Sequence, residues 1–258
     1  MARLYGIRRA WFEREATPYP PLVGTLPAMD SGHNHRDIRG GGARAAVFGV
    51  SDGLVSNVAL ILGVAGAHAS AGSVRLAGVA GLVAGSFSMA AGEYISVRAQ
   101  SELMLRELDV ERQAISHDPE VERRELAAIY ESRGIDSDMA RELSVKMMRD
   151  PEVALETHAR EELGIDPEQT GNPLQAALSS FVTFAVGAFV PLLPWLFTSG
   201  TRAILWSVAL GAIAALGVGA GLAHFTGRSW VLSASRQLLI SGVAAAVTFG
   251  VGRLIGTG

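Results

Sequence analysis

The sequence predicts an all-α membrane protein with five transmembrane helices and a helical domain inserted between the second and the third. Hydrophobic residues make up 49% of the 258-residue chain, and mean hydropathy is +0.28. These residues come in blocks, which is typical of an integral membrane protein. Five blocks are long enough to cross a bilayer as helices. Charged residues are instead concentrated in residues 98–170, between the second and third blocks.

The five predicted spans form a pair in residues 41–97 and a group of three in residues 171–258. Within the pair and within the group of three, the connectors are so short that consecutive spans must be antiparallel neighbours. Small residues recur at four-residue spacing in the second and fourth spans, which favours close helix packing. The predicted spans are about Ala45–Ala69, Val74–Val97, Leu174–Phe197, Ala203–Phe225 and Leu232–Ile255.

Residues 1–40 lack a sustained helical or strand period and contain the proline-rich stretch PYPPL. We expect a flexible arm here and not a signal peptide, because no apolar core follows the first arginines. Seven arginines precede the first span, whereas the loops after the first and third spans hold one each. The positive-inside rule therefore predicts a cytoplasmic N-terminus and a cytoplasmic inserted domain. The use of Arg in place of Lys, with Lys146 the only lysine, favours a bacterial chain and thus the plasma membrane.

The inserted segment, residues 98–170, is strongly acidic. It holds 19 of the 25 acidic residues and 10 of the 22 basic ones, which leaves it at −9 and the remainder of the chain at +6. This balance disfavours nucleic acid as a partner and favours a divalent cation. Asp-Pro pairs and glycines predict that the second span continues to about Ser116–Asp118 and that three short helices follow, over about 119–133, 137–149 and 150–163. The chain has no cysteine, so metal sites built from thiolates are excluded.

Two spans carry an acid inside the apolar run, Asp52 in the first and Glu93 in the second. An acid within a span is costly and usually marks a cation or proton path. Met89 shares a helix face with Glu93 and should lie at the same depth as Asp52, since the two spans are antiparallel. Two carboxylates with a thioether suit Fe²⁺ better than Mg²⁺ or Ca²⁺. Met89 by itself is equally consistent with helix packing, and weaker oxygen donors lie nearby in Ser56, Asn57 and Ser88.

A second set of candidate ligands lies in the inserted segment. Acids at i, i+4 spacing repel each other unless a cation lies between them. The alternative is a solvated acidic face paired with the neighbouring arginines. The candidates are Glu102, Glu107 and Glu111 on the extension of the second span, and His158, Glu161 and Glu162 on the last short helix.

Four stretches in this order, VFGVSDGLVSNVALILGVAGA, AGSFSMAAGEYISVRAQSE, HAREELGI and AHFTGRS, resemble the vacuolar iron transporter family over about residues 36–258. The resemblance implies a five-helix homodimer that removes Fe²⁺, and in some members Mn²⁺, from the cytosol in exchange for protons. It implies a pore between the subunits, lined by the first two spans, and a cytoplasmic domain that collects ions.

By the same resemblance, Asp52 and Met89 correspond to pore ligands, and Glu107, Glu111 and Glu162 correspond to acids of the metal-binding domain. The chain departs from the plant members at several positions. Gly81 and Ala45 stand where those members have an acid, and His158-Ala159 stands where they have a pair of methionines.

The function predicted from these observations is proton-coupled export of Fe²⁺ or Mn²⁺, with no resident cofactor and no enzymatic activity. Its partners are metal ions, protons, the lipid bilayer and a second copy of the chain. The alternative is a membrane-anchored metal-binding or interaction protein that transports nothing. A di-iron oxidase is disfavoured, because Glu156 and His158 are two residues apart and not at the three-residue spacing that places both on one helix face.

Overall fold

The computed structural model describes residues 41–167 and 171–256, and these ranges contain eight helices and no strand. The predicted flexible arm, residues 1–40, lies outside the described residues. The all-helical fold class is confirmed. The helices are α1 Gly41–Gly66, α2 Ala71–His117, α3 Pro119–Ser132, α4 Ser137–Met147, α5 Pro151–Glu161, α6 Pro173–Phe197, α7 Gly200–Thr226 and α8 Trp230–Gly256.

Five of these helices, α1, α2, α6, α7 and α8, are long and apolar enough to cross a membrane by length and composition. They correspond to the five predicted spans, with ends that differ by a few residues. Helix α6 passes through Pro191 and Pro194 and ends at Phe197, where the Thr198 amide donates to the Pro194 carbonyl oxygen. Helix α7 ends at Gly227, whose positive φ of 66° suits glycine.

Helix α2 is much longer than a bilayer requires. Its 47 residues extend about 70 Å at 1.5 Å per residue, whereas the hydrocarbon core is about 30 Å thick. Charged residues recur along α2 from Arg98 onward, so the predicted span Val74–Val97 corresponds to the apolar first half of α2. The rest of α2, the extension of α2, continues as the same helix to His117.

Helix α1 lies at the centre of the membrane helices and contacts α2, α6, α7 and α8. Its closest neighbour is α6. A Cβ atom on Gly53 would collide with the Phe184 carbonyl oxygen, and one on Gly187 would collide with the Val50 carbonyl oxygen. Only glycine permits two helix backbones to approach this closely, and dispersion contacts between them replace the hydrophobic drive that lipid does not supply.

Helices α3, α4 and α5 form the insert, which packs beside the extension of α2. One small core joins Leu108 of α2 to Leu155 of α5, and a second joins Leu126 of α3 to Ala140 of α4. Helices α4 and α5 each end two residues before their predicted ends. The chain leaves α5 early because it turns through Gly164, whose φ is +65°.

Candidate functional site

The three ligands predicted within the spans line one groove between α1 and α2. The groove has a volume of about 490 Å³, and Phe184 of α6 forms part of its wall. Asp52 is exposed on its α1 side, while Met89 and Glu93 are half-buried on its α2 side. The lining residues are Asp52, Ser56, Asn57, Leu60, Gly81, Gly85, Ser88, Met89, Gly92, Glu93 and Phe184.

Small residues keep this groove open. A Cβ atom on Gly85 would reach the Phe184 ring, and one on Gly81 would lie 2.5 Å from Leu60 Cδ2. From Gly81 to Glu93 the groove follows α2 over about 18 Å. The groove thus combines carboxylate oxygens, hydroxyl oxygens and a thioether along one passage, a mixture that suits first-row divalent metals.

A second cluster lies in the insert, where four ligand-bearing side chains meet. Glu111, Glu122, His158 and Glu162 each offer a ligand atom, and these atoms lie within 4.8 Å of one another. They come from three elements: α2, the first turn of α3, and α5 with the residue that follows it. Three carboxylates and an imidazole can hold a divalent transition metal.

His158 fixes the geometry of this cluster. Its side chain is fully buried. Its Nδ1 atom lies 2.9 Å from the Ala154 carbonyl oxygen, and its Nε2 atom lies 3.2 Å from the Glu122 carbonyl oxygen and 3.9 Å from Glu122 Oε2. Both of the nearest partners are carbonyl oxygens, which only accept, so a neutral imidazole, which has one N–H, can donate to only one of them.

The acids of the cluster, which lies well beyond the spanning part of α2, have perturbed ionisation. Burial raises the pKa of Glu111, and repulsion from Glu162 raises it further. Burial likewise raises the pKa of Glu122, and repulsion from Glu125 adds to it. Within the described residues Glu111 Oε1 is buried without a hydrogen-bond partner. A cation would compensate buried like charges of this kind.

Comparison with known proteins identifies the family. The model of the VIT family matches residues 43–253. The chain belongs to the VIT family. The vacuolar iron transporter of Acanthamoeba castellanii is 35% identical over 90% of this chain and 86% of its own. Vacuolar iron transporter 1 of Oryza sativa subsp. japonica is 31% identical over 92% and 96%, and that of Arabidopsis thaliana is 32% identical over 82% and 85%.

Membership of the VIT family confirms the resemblance that the four sequence stretches predict. The VIT family is a family of transporters and not of enzymes, and the chain is an integral membrane protein. Glu156 and His158, the pair considered for a di-iron site, lie on different faces of α5. Glu156 is exposed and pairs with Arg160 at 2.8 Å, whereas His158 is buried.

The remaining predicted ligands of this VIT-family chain lie outside the four-residue cluster. Glu102 pairs with Arg98 at 2.6 Å, and Glu161 pairs with Arg133. Glu107 is half-buried one turn before Glu111. Sequence reasoning missed Glu122, since nothing in PEVERRE distinguishes one glutamate from the next and only the crossing of α3 with α5 brings it to His158.

Proposed function

We propose that this chain exports Fe²⁺ or Mn²⁺ from the cytosol in exchange for protons. The observation that carries the proposal is the groove in which Asp52, Met89 and Glu93 lie together between α1 and α2. Carboxylates and a thioether within a span are costly unless they bind a cation, and their mixed character favours a transition metal. The relatives named vacuolar iron transporters support the same class of ion.

The cluster in the insert collects ions for this groove. It lies in the acidic segment on the extension of α2, the helix that also carries Met89 and Glu93. Ions gathered at Glu111 and Glu162 are therefore held beside the helix that leads into the span. The arginines before the first span support a cytoplasmic insert, and the arginine-rich composition supports a bacterial plasma membrane.

The groove becomes a pore when a second copy covers it. Asp52, Ser88 and Gly92 lie exposed along its open side. A homodimer formed through α1 and α2 would enclose the ligands and exclude lipid from the charges. Protons are the natural counter-ion, because carboxylates that release a metal in a low-dielectric passage take up protons in its place.

Asp52→Ala tests the transport function. We expect the variant to lose Mn²⁺ uptake into proteoliposomes that carry a pH gradient, since it removes the carboxylate on the α1 side of the groove. Asp52→Glu, which keeps the charge, should retain part of the flux. Asp138→Ala, at an exposed acid of α4, is the control. Unchanged flux in a folded Asp52→Ala protein would refute the proposal.

A second candidate function is a membrane-anchored metal-binding protein that transports nothing. It is favoured by one observation, namely that the Glu111 cluster is assembled within the insert and its extension helix without any residue of the groove. Full-length protein that binds Mn²⁺ in detergent yet gives no uptake in proteoliposomes at any imposed pH gradient would support this second candidate.

A further inference from the structure

Asn57 presents a buried oxygen that the packing of the protein does not use. Its side chain is 2% exposed, on the face of α1 that borders the groove. Its Nδ2 atom donates to the Ala188 carbonyl oxygen of α6 at 2.6 Å. In the part of the chain that the structure describes, Asn57 Oδ1 is buried and has no hydrogen-bond partner.

The hydrogen bond to α6 decides where the free oxygen points. A carbonyl oxygen only accepts, so the amide nitrogen of Asn57 must face Ala188 and the amide oxygen must face away from it. On that other side lies α2, where a Cβ atom on Gly81 would be 2.9 Å from Asn57 Oδ1. Both residues line the groove. The oxygen is therefore held toward α2 by the hydrogen bond that the amide nitrogen makes to α6.

A buried acceptor without a partner costs free energy unless a donor or a cation reaches it. The groove delivers a cation in the proposed function, on which this inference rests. We infer that Asn57 Oδ1 is a second cation station in the groove. It lies five residues beyond Asp52, which is about 7.5 Å along α1.

A neutral oxygen suits an intermediate station. Asp52 and Glu93 attract the ion strongly because they are charged, whereas an amide oxygen holds it weakly enough for release toward the far side. Conduction requires this combination of sites that are favourable to enter and weak enough to leave. Gly81 belongs to the same site, because a Cβ atom at this position would lie 2.9 Å from Asn57 Oδ1, where an ion would have to bind.

Two substitutions of Asn57 separate its proposed role as a cation ligand from its role in packing against α6. Asn57→Leu and Asn57→Asp both keep a side chain that branches at Cγ, and both remove the amide donor to Ala188, but only Asp keeps an oxygen directed at the groove. In proteoliposomes with Mn²⁺ we expect Asn57→Leu to lower the uptake rate at least about tenfold, the scale of losses around metal ligands. Asn57→Asp should stay within about threefold of wild type and reach half-maximal uptake at a lower Mn²⁺ concentration.

Gly81→Ala approaches the same oxygen from α2 and leaves the Asn57–Ala188 bond intact. We expect it to lower uptake at least about threefold, because a lost or obstructed metal ligand costs affinity on this scale or more. Gly217→Ala is the control, since a Cβ atom there meets nothing within 4 Å and Gly217 lies outside the groove. Equal losses in Asn57→Leu and Asn57→Asp would assign the effect to the Ala188 contact and overturn the inference.

Equilibrium Mn²⁺ binding to the same full-length chains in detergent separates this inference from the proposed function. Wild-type chain that binds Mn²⁺ but moves none would refute the transport function. In that case the inference that Asn57 Oδ1 binds the cation is supported if Asn57→Leu, but not Asn57→Asp, weakens Mn²⁺ binding. It is refuted if both variants bind Mn²⁺ as wild type does. If wild type transports Mn²⁺ and Asp52→Ala does not, while Asn57→Leu matches wild type, the station alone is refuted.

Discussion

At the scale of single residues, the buried acids Glu111 and Glu122 would couple metal binding at the cluster to pH. Burial raises the pKa of Glu111 and Glu122 above the unfolded value of 4.5. A carboxyl with a raised pKa keeps its proton up to a higher pH in the folded state than in the unfolded state. Its contribution to the free energy of unfolding is therefore fully present below pH 4.5 and is lost as pH rises through the folded pKa. A bound divalent cation reverses this by compensating the ionised carboxylates.

We therefore expect metal to stabilise the protein at neutral pH and to do so less on acidification. Thermal unfolding of the full-length chain in detergent, with and without Mn²⁺, measures this at pH 7.5 and at pH 5. The rise in Tm caused by Mn²⁺ should be larger at pH 7.5, because protons compete with the metal for Glu111 and Glu122 at pH 5. A rise that is the same at both pH values would contradict metal binding at these acids.

Glu122→Gln tests the residue that sequence reasoning missed. Glutamine keeps the size of the side chain and removes a buried negative charge, so the metal-free variant should unfold at or above the wild-type temperature at pH 7.5. Its affinity for Mn²⁺ should fall by about tenfold or more. Glu120→Gln is the control on the same helix, since Glu120 is exposed and pairs with Arg123 at 2.8 Å. Equal affinities in the two variants would exclude Glu122 as a ligand.

The sequence could predict which side chains meet in the groove but not the complete cluster, for a reason of geometry. Met89 and Glu93 share a face by helix periodicity alone, and their depth relative to Asp52 follows from two antiparallel spans and a short loop. Glu122 reaches His158 only through the packing of α3 against α5, which no spacing along the chain encodes. Asn57 is recognisable in sequence as an oxygen donor, but its orientation depends on a carbonyl 131 residues away.

At the scale of helices, the boundaries follow from the sequence and the crossings do not. Apolar runs and Asp-Pro pairs set the ends of the helices to within a few residues. The closest crossing, between α1 and α6, depends on Gly53 and Gly187, which lie far apart in the chain. Gly53 follows Gly49 at four-residue spacing, but this repeat lies in the first span and not in the second or fourth, where the sequence drew attention to small residues. Of the repeats that the sequence does show, Gly219 meets the backbone of Ala234 on α8, while Gly92 has open space beside it.

Gly53→Ala measures how much this crossing contributes. The added Cβ atom would meet the backbone of α6, which cannot rotate aside as a flexible side chain can. Overpacking of this kind costs about 1–3 kcal/mol, so we expect a lower melting temperature and a smaller yield of monodisperse protein. Gly217→Ala, at an open position of α7, should leave both unchanged. A wild-type melting temperature for Gly53→Ala would show that α1 and α6 can separate without loss.

At the scale of the whole molecule, the charge distribution and the exposed groove residues favour assembly of two copies through the α1–α2 groove. The acidic segment carries −9 and the remainder +6, so cations are drawn to the insert and not to the rest of the chain. The single chain leaves the α1–α2 groove uncovered, with Asp52 and Ser88 exposed. Charged ligands facing lipid would be unfavourable, whereas the same ligands facing a second copy would line a pore.

Single-cysteine variants test this assembly without background, because the chain has no native cysteine. Ser88→Cys places a thiol on the open side of the groove, and Ile213→Cys places one on the exposed face of α7. In membranes treated with a short thiol-reactive cross-linker, we expect Ser88→Cys to give a covalent dimer and Ile213→Cys to remain monomeric, since in the proposed assembly only the groove face would meet its copy. The opposite pattern would mean that the copies associate through another face, and each groove would then have to conduct ions alone.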